Sequence, residues 1–208
     1  ALLAILKKMG KDPKGMTVAI QGFGNVGMFL ARYLEEAGMK IIAIADSKSG
    51  VYAAEGIDID AAEYQKKEKG NFTGIGSAIL PEEVLTVKAD IVVPAALENA
   101  ITEANAGNIH ASIILEMANG PTTLEADSIL HDRGVIIIPD ILANAGGVIV
   151  SYFEWLQNKS SQKWRKDEVF HELKTKMESA ADKVFFMSRA KKISMRDAAY
   201  VVALKNIQ

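Results

Sequence analysis

The chain has 208 residues, 49% of them apolar and 24% charged, which excludes intrinsic disorder and a fibrous repeat and leaves enough length to bury a core. A net charge of −2 gives no case for a nucleic-acid partner, and no apolar run approaches the roughly 18 residues of a membrane span. Cysteine is absent, so there is no disulfide framework, thiolate metal site or cysteine nucleophile, which suits a cytoplasmic chain.

The first residues, Ala1-Leu2-Leu3-Ala4-Ile5-Leu6-Lys7-Lys8, show neither an initiator Met nor a signal-peptide layout and read as a chain entered partway along a helix. Residues 17–21 form a short β-branched, apolar run followed by Gly22, the pattern of a buried strand. From Asn25 the period changes: Val26, Phe29, Leu30, Tyr33, Leu34 and Ala37 fall at helical spacing, with Gly38 where a helix-ending glycine belongs. Residues 40–46 are a second apolar strand. Residues 17–46 therefore read as one β-α-β unit whose strands are covered on both faces.

The alternation continues with a polar helix over 58–69, strands at 89–94, 112–116 and 135–139, and a helix over 123–133 capped by Thr122 or Thr123 and followed by Gly134. Strands and helices at this spacing predict an α/β fold: a doubly wound, Rossmann-like, mostly parallel sheet with helices on both faces. The last quarter is helical. An apolar, aromatic helix over 147–157 precedes a polar stretch, 158–163. Phe170, Leu173, Met177, Ala180, Val184 and Met187 then mark a long amphipathic helix. Ser194-Met195-Arg196-Asp197 fits a capping box that opens a final helix. The expected division is a dinucleotide-binding domain over 1–157, with 1–14 as entering helix and linker, and a helical tail over 158–208. Charge divides in nearly the same place: residues 1–150 hold 12 basic and 19 acidic side chains, a balance of −7, and residues 151–208 hold 12 and 7, a balance of +5.

Gly22-Phe23-Gly24-Asn25-Val26-Gly27 matches G-x-G-x-x-G, and its place between a strand and a helix gives the match its value. Gly22 permits the tight turn, Gly24 lets backbone approach a pyrophosphate, and Gly27 allows helix and strand to pack closely. The N–H groups at the helix start then face the phosphates. Asp46 closes the second strand 19 residues beyond Gly27, where a carboxylate accepts hydrogen bonds from the adenosine ribose and favours NAD. Ser47 and Lys48 follow directly, and a hydroxyl and an ammonium there suit the 2′-phosphate of NADP. Asp46 argues for NAD and Lys48 for NADP, so both cofactors stay open.

Several motifs together carry a resemblance. Gln21-Gly22-Phe23-Gly24-Asn25-Val26-Gly27, Pro94-Ala95-Ala96 and Ala118-Asn119-Gly120-Pro121-Thr122-Thr123 resemble the amino-acid dehydrogenase superfamily. Pro139-Asp140-Ile141-Leu142-Ala143-Asn144-Ala145-Gly146-Gly147-Val148, Ser151-Tyr152-Phe153-Glu154-Trp155 and Met195-Arg196-Asp197-Ala198-Ala199-Tyr200 are most similar to glutamate dehydrogenase. The resemblance spans essentially the whole chain. It implies that residues 22–27 hold the pyrophosphate, that Ala95 and Ala96 pass the nicotinamide-side ribose, and that Asn119 and Asn144 lie near the nicotinamide and the amino acid. It further implies that Ser151 faces the γ-carboxylate of glutamate, with Val148 on the same pocket wall. A buried hydroxyl there would lose hydrogen bonds in a leucine- or phenylalanine-type pocket.

The implied reaction is reversible oxidative deamination of L-glutamate to 2-oxoglutarate and ammonia, by hydride transfer to NAD or NADP. It needs a lysine of lowered pKa and a carboxylate for proton transfer. The family takes both from a separate N-terminal catalytic domain, so no catalytic residue and no metal ligand is expected in this chain. His110, His131 and His171 read as surface histidines. The resemblance also implies a homo-oligomer, a hexamer when intact, and cofactor binding without turnover by these 208 residues alone. A leucine- or phenylalanine-type domain and a non-catalytic dinucleotide sensor are the competing readings.

Overall fold

The computed structural model describes residues 1–205; the last three residues of the expected tail lie outside them. The chain forms two compact units, one of residues 12–137 and one of residues 1–11 with those from Ile138 onward. Each is described by itself.

The first unit is built on a sheet of seven strands: β1 (Thr17–Gln21), β2 (Lys40–Ala45), β3 (Gly50–Tyr52), β4 (Ser77–Ile79), β5 (Ile91–Pro94), β6 (Ile113–Leu115) and β7 (Ile136–Ile138). Their order is β4-β3-β2-β1-β5-β6-β7. β1 pairs in parallel with both β2 and β5, and β5 with β6. Of the helices, α1 (Leu2–Lys8) belongs to the other unit, whereas α2 (Asn25–Glu36), α3 (Ile59–Lys69), α4 (Glu103–Ala106) and α5 (Leu124–Asp132) alternate with these strands. The α/β, Rossmann-like architecture expected from the sequence is therefore present.

The structure adds β3 and β4, an antiparallel extension beside β2 that the sequence pattern does not announce. Three-residue strands are too short to show a period. Gly76 meets the extension at close range: a Cβ there would stand 2.5 Å from the Tyr52 carbonyl oxygen.

Val18, Ala19 and Ile20 of β1, Ile44 of β2 and Ile91, Val92 and Val93 of β5 are fully buried. Each of these valines and isoleucines contributes roughly 1.5–3 kcal/mol over its exposed state. Register at the start of the central pair is set by polar groups. Asp90 Oδ2 accepts from the Thr17 N–H and hydroxyl at 2.7 and 2.8 Å, and the Asp90 N–H donates to Thr17 Oγ1 at 2.9 Å. Side-chain caps are in place: Asp58 accepts from Ala61 N–H before α3, and of the two expected residues Thr123 rather than Thr122 accepts from Ala126 N–H before α5. Gly38 and Gly134, at φ +84° and +76°, follow the ends of α2 and α5.

In the second unit α1 packs on the long helix α8 (Lys166–Lys191). α8 also meets α6 (Asp140–Ala143), α7 (Gly146–Ser160) and α9 (Met195–Lys205). Leu2, Ile5 and Leu6 of α1, Ala181, Val184 and Phe185 of α8, and Met195, Ala198 and Ala199 of α9 are buried. Phe153 of α7 is buried against Trp164, ring centroids 5.3 Å apart. α7 runs to Ser160, past the expected end at 157, because nothing before the left-handed Ser161 (φ +54°) interrupts it. The apolar stripe of α8 is covered only in its C-terminal half, and Phe170 is half exposed. Ser194 Oγ accepts from the Asp197 N–H at 3.0 Å, as a capping residue of α9 should.

Candidate functional site

Strand order reverses at β1, since β2 lies on one side of it and β5 on the other. In open α/β sheets ligands bind at this crevice, beyond the carboxyl ends of the strands. Two of the expected segments meet there. Gly22 follows β1 at φ +108°, and a Cβ on it would stand 2.8 Å from the Ala95 carbonyl carbon and 2.9 Å from the Ala96 nitrogen. Only glycine fits so close an approach. The turn is pinned by the Ala45 carbonyl, which accepts from the Gly22 and Phe23 N–H groups at 2.8 and 2.7 Å.

Gly24 is the N-cap of α2, with no side chain capping the helix and no acidic residue in its first turn. The helical ladder begins with Met28 N–H donating to the Gly24 carbonyl at 2.9 Å, so the N–H groups of Asn25, Val26 and Gly27 have no helical acceptor. A Cβ at Gly24 would meet open space, whereas one at Gly27 would stand 1.8 Å from the Gly22 carbonyl oxygen. Unfilled donors, a helix dipole and room at Gly24 suit an anion such as a pyrophosphate. Asn25 and Val26 are exposed; Phe23 is buried, its ring edge-on to Phe72 at 5.6 Å.

Asp46 stands just past β2. Its Oδ1 accepts from the Lys48 and Ser49 N–H groups at 2.8 and 3.0 Å, and its Oδ2 lies 3.2 Å from Lys66 Nζ. Burial works to raise this carboxyl's pKa, but the two backbone N–H groups and the Lys66 ammonium outweigh it and hold it below the usual carboxylate range. Ser47 and Lys48 are exposed beside it. Lys66 is the residue that sequence reasoning missed. α3 carries Lys66, Lys67 and Lys69 in its last turn, and nothing local says which of them returns to the glycine turn.

On the other side of β1 the Pro94 carbonyl accepts from the Met117 and Ala118 N–H groups at 3.1 and 3.0 Å. That brings the loop of Asn119 against the segment leading to Ala95 and Ala96. Asn119 is exposed, and Glu116, just before the loop, is fully buried.

Asn144, Val148 and Ser151 belong to the second unit. Asn144 caps α6, its N–H donating to the Asp140 carbonyl at 3.0 Å. Asp140 in turn pairs with Arg196 of α9 at 3.3 Å, both side chains more than four-fifths buried. Val148 and Ser151 are exposed, three residues apart on one face of α7. His110, His131 and His171 are exposed. Among the described residues no cluster of three or more His, Asp or Glu is placed to hold a metal, and no helix is long and apolar enough to cross a membrane.

Comparison with known proteins connects these features. The model of one family, Glutamate/Leucine/Phenylalanine/Valine dehydrogenase, matches residues 1–208. The chain belongs to that family. It is 45% identical over 202 residues to the cryptic catabolic NAD-specific glutamate dehydrogenase of Bacillus subtilis, covering 97% of this chain and 47% of that protein. It is 47% identical over 202 residues to glutamate dehydrogenase of Thermotoga maritima, covering 96% and 49%. Among solved structures, the hetero-hexameric glutamate dehydrogenase of Thermus thermophilus in its Leu-bound form superposes with a TM-score of 0.91 at 32% identity, covering 99% of this chain and 49% of that one. This family member thus spans about half the length of the curated relatives it matches.

Proposed function

We propose that this chain is the dinucleotide-binding part of a glutamate dehydrogenase, a cytoplasmic enzyme that works as a homo-oligomer. The observation that carries the reading is the uncapped start of α2 on a glycine turn at the point where the strand order reverses. The N–H groups of Asn25, Val26 and Gly27 hold the pyrophosphate, and Asp46, Ser47 and Lys48 meet the adenosine ribose. Ala95, Ala96 and Asn119 serve the nicotinamide end. The cofactor, when bound, supplies a hydride acceptor at its nicotinamide ring. Asn119 orients that ring through its amide, which offers both donors and an acceptor.

Asn144 contacts the reacting groups, while Ser151 and Val148 take the substrate side chain, the serine hydroxyl donating to the γ-carboxylate. Proton transfer is assigned to a lysine and a carboxylate outside this chain, in an N-terminal catalytic domain of the full-length protein. Fluorescence titration of the purified chain with NADH should therefore show saturable binding, while glutamate oxidation stays at background. Turnover by the pure chain, or absence of binding at millimolar NADH, overturns the proposal.

The substrate assignment has its own test. In a full-length protein carrying this chain, Ser151→Val removes one hydrogen bond to a charged group, a loss of about 1.5–3 kcal/mol. The expected result is a fall of roughly 10- to 100-fold in kcat/KM for glutamate, with leucine gaining relative to glutamate. Unchanged glutamate kinetics would remove Ser151 from the substrate site.

A further inference from the structure

We propose that Lys66 sets the dinucleotide preference of the ribose site, by neutralising Asp46 and donating to a 2′-phosphate, so that the chain accepts NADP as well as NAD. The inference rests on the dinucleotide reading above and extends it beyond the NAD-specific relatives.

A carboxylate at the end of the second strand selects NAD in two ways: it accepts from the ribose hydroxyls, and its charge repels a 2′-phosphate. Asp46 is restrained in both. Two backbone N–H groups occupy Oδ1, and Lys66 Nζ faces Oδ2. The Lys66–Asp46 pair presents no net charge, so the repulsion that would exclude NADP is largely cancelled at short range.

Lys66 is held in place. Its ammonium donates to the Phe23 carbonyl at 2.6 Å and lies 5.9 and 6.0 Å from the centroids of the Phe23 and Phe72 rings. Those rings pack edge to face, Phe23 is pinned through its own N–H on Ala45, and both side chains are buried. The cation is thus fixed against the glycine turn by a carbonyl, a carboxylate and two aromatic rings. An ammonium has three donors; two are spent on Phe23 and Asp46, and the third is left for a ligand. Lys48 adds a second, exposed ammonium two residues from Asp46. Two cations against one carboxylate suit a phosphomonoester better than a bare ribose.

The test is parallel titration of the wild-type chain and of Lys66→Met and Lys66→Arg with NADH and NADPH. Melting temperature and far-UV circular dichroism report whether each variant is folded. The wild-type chain should bind the two dinucleotides with dissociation constants within about tenfold of each other. Lys66→Met should weaken NADPH about 30-fold, as loss of a charge-assisted hydrogen bond does, while NADH shifts less than threefold. Lys66→Arg should keep NADPH binding. A merely structural lysine would move both affinities together and leave their ratio alone. An unchanged ratio in Lys66→Met, or a wild-type preference for NADH beyond tenfold, overturns the inference and leaves the dinucleotide reading intact. Binding of neither dinucleotide by the wild type overturns both.

Discussion

Gly27→Ala should destabilise the glycine turn, whereas Gly24→Ala should leave the fold intact and weaken NADH binding. The two glycines lie three residues apart in one motif, yet their surroundings are opposite. A Cβ at Gly27 would stand 1.8 Å from the Gly22 carbonyl oxygen, a backbone contact that requires the turn or α2 to move. The cost is expected to be about 3 kcal/mol, as in other overpacked sites. For a chain of this size that corresponds to roughly 6–12 °C in the unfolding midpoint. Gly24 has φ −89° and ψ −163°, which alanine adopts freely, and its Cβ would point into open space. Its stability change should stay within about 1 kcal/mol. On the proposed reading the new methyl stands in the way of the pyrophosphate, and NADH affinity should fall at least about tenfold, as misfit at a phosphate-binding helix start implies. Thermal unfolding and NADH titration of both variants separate the two effects. Equal stability loss in both would contradict the close packing of α2 on β1, and unaltered NADH binding by Gly24→Ala would place the pyrophosphate elsewhere.

Arg196→Met should destabilise the second unit by about 2–4 kcal/mol, as expected when a shielded carboxylate loses one of its partners. Arg196 and Asp140 are among the most enclosed ion-paired side chains described, at 13% and 15% exposure. By contrast Arg165, Asp167 and Glu168 at the start of α8 are half or more exposed, and their pairs should contribute less than about 1 kcal/mol. The Asp140 carbonyl also accepts the Asn144 N–H, so the Arg196–Asp140 pair orders the segment that ends at Asn144. The double variant Arg196→Met/Asp140→Asn removes both charges and should recover part of the loss, with a coupling of roughly 1–3 kcal/mol in a double-mutant cycle. Urea unfolding curves of the four proteins measure it. Additive losses would mean that the two side chains do not stabilise one another.

Much of this was legible without coordinates. β1, α2 and β2 follow directly from an apolar β-branched run, a change to helical period and a helix-ending glycine. The G-x-G-x-x-G turn is informative because its residues are contiguous: each glycine's requirement is local, set by the turn and by the strand and helix on either side. The same holds for Thr123 and Ser194, whose side chains cap helices by accepting from the N–H three residues on.

What the sequence left open depends on chain segments far apart. β3 and β4 are too short to carry a period and exist through pairing with β2. Asp46 and Lys48 are adjacent enough to be noticed, but their balance is decided by Lys66, twenty residues on, which reaches Asp46 because α3 returns over the glycine turn. The Arg196–Asp140 pair joins residues 56 apart. Hydrophobic period and turn chemistry act over a few residues, and the sequence by itself determined the fold class, the glycine turn between β1 and α2 and the family. Electrostatic neighbours act through space, so only the tertiary structure decided which cation faces Asp46 and which arginine holds the segment of Asn144.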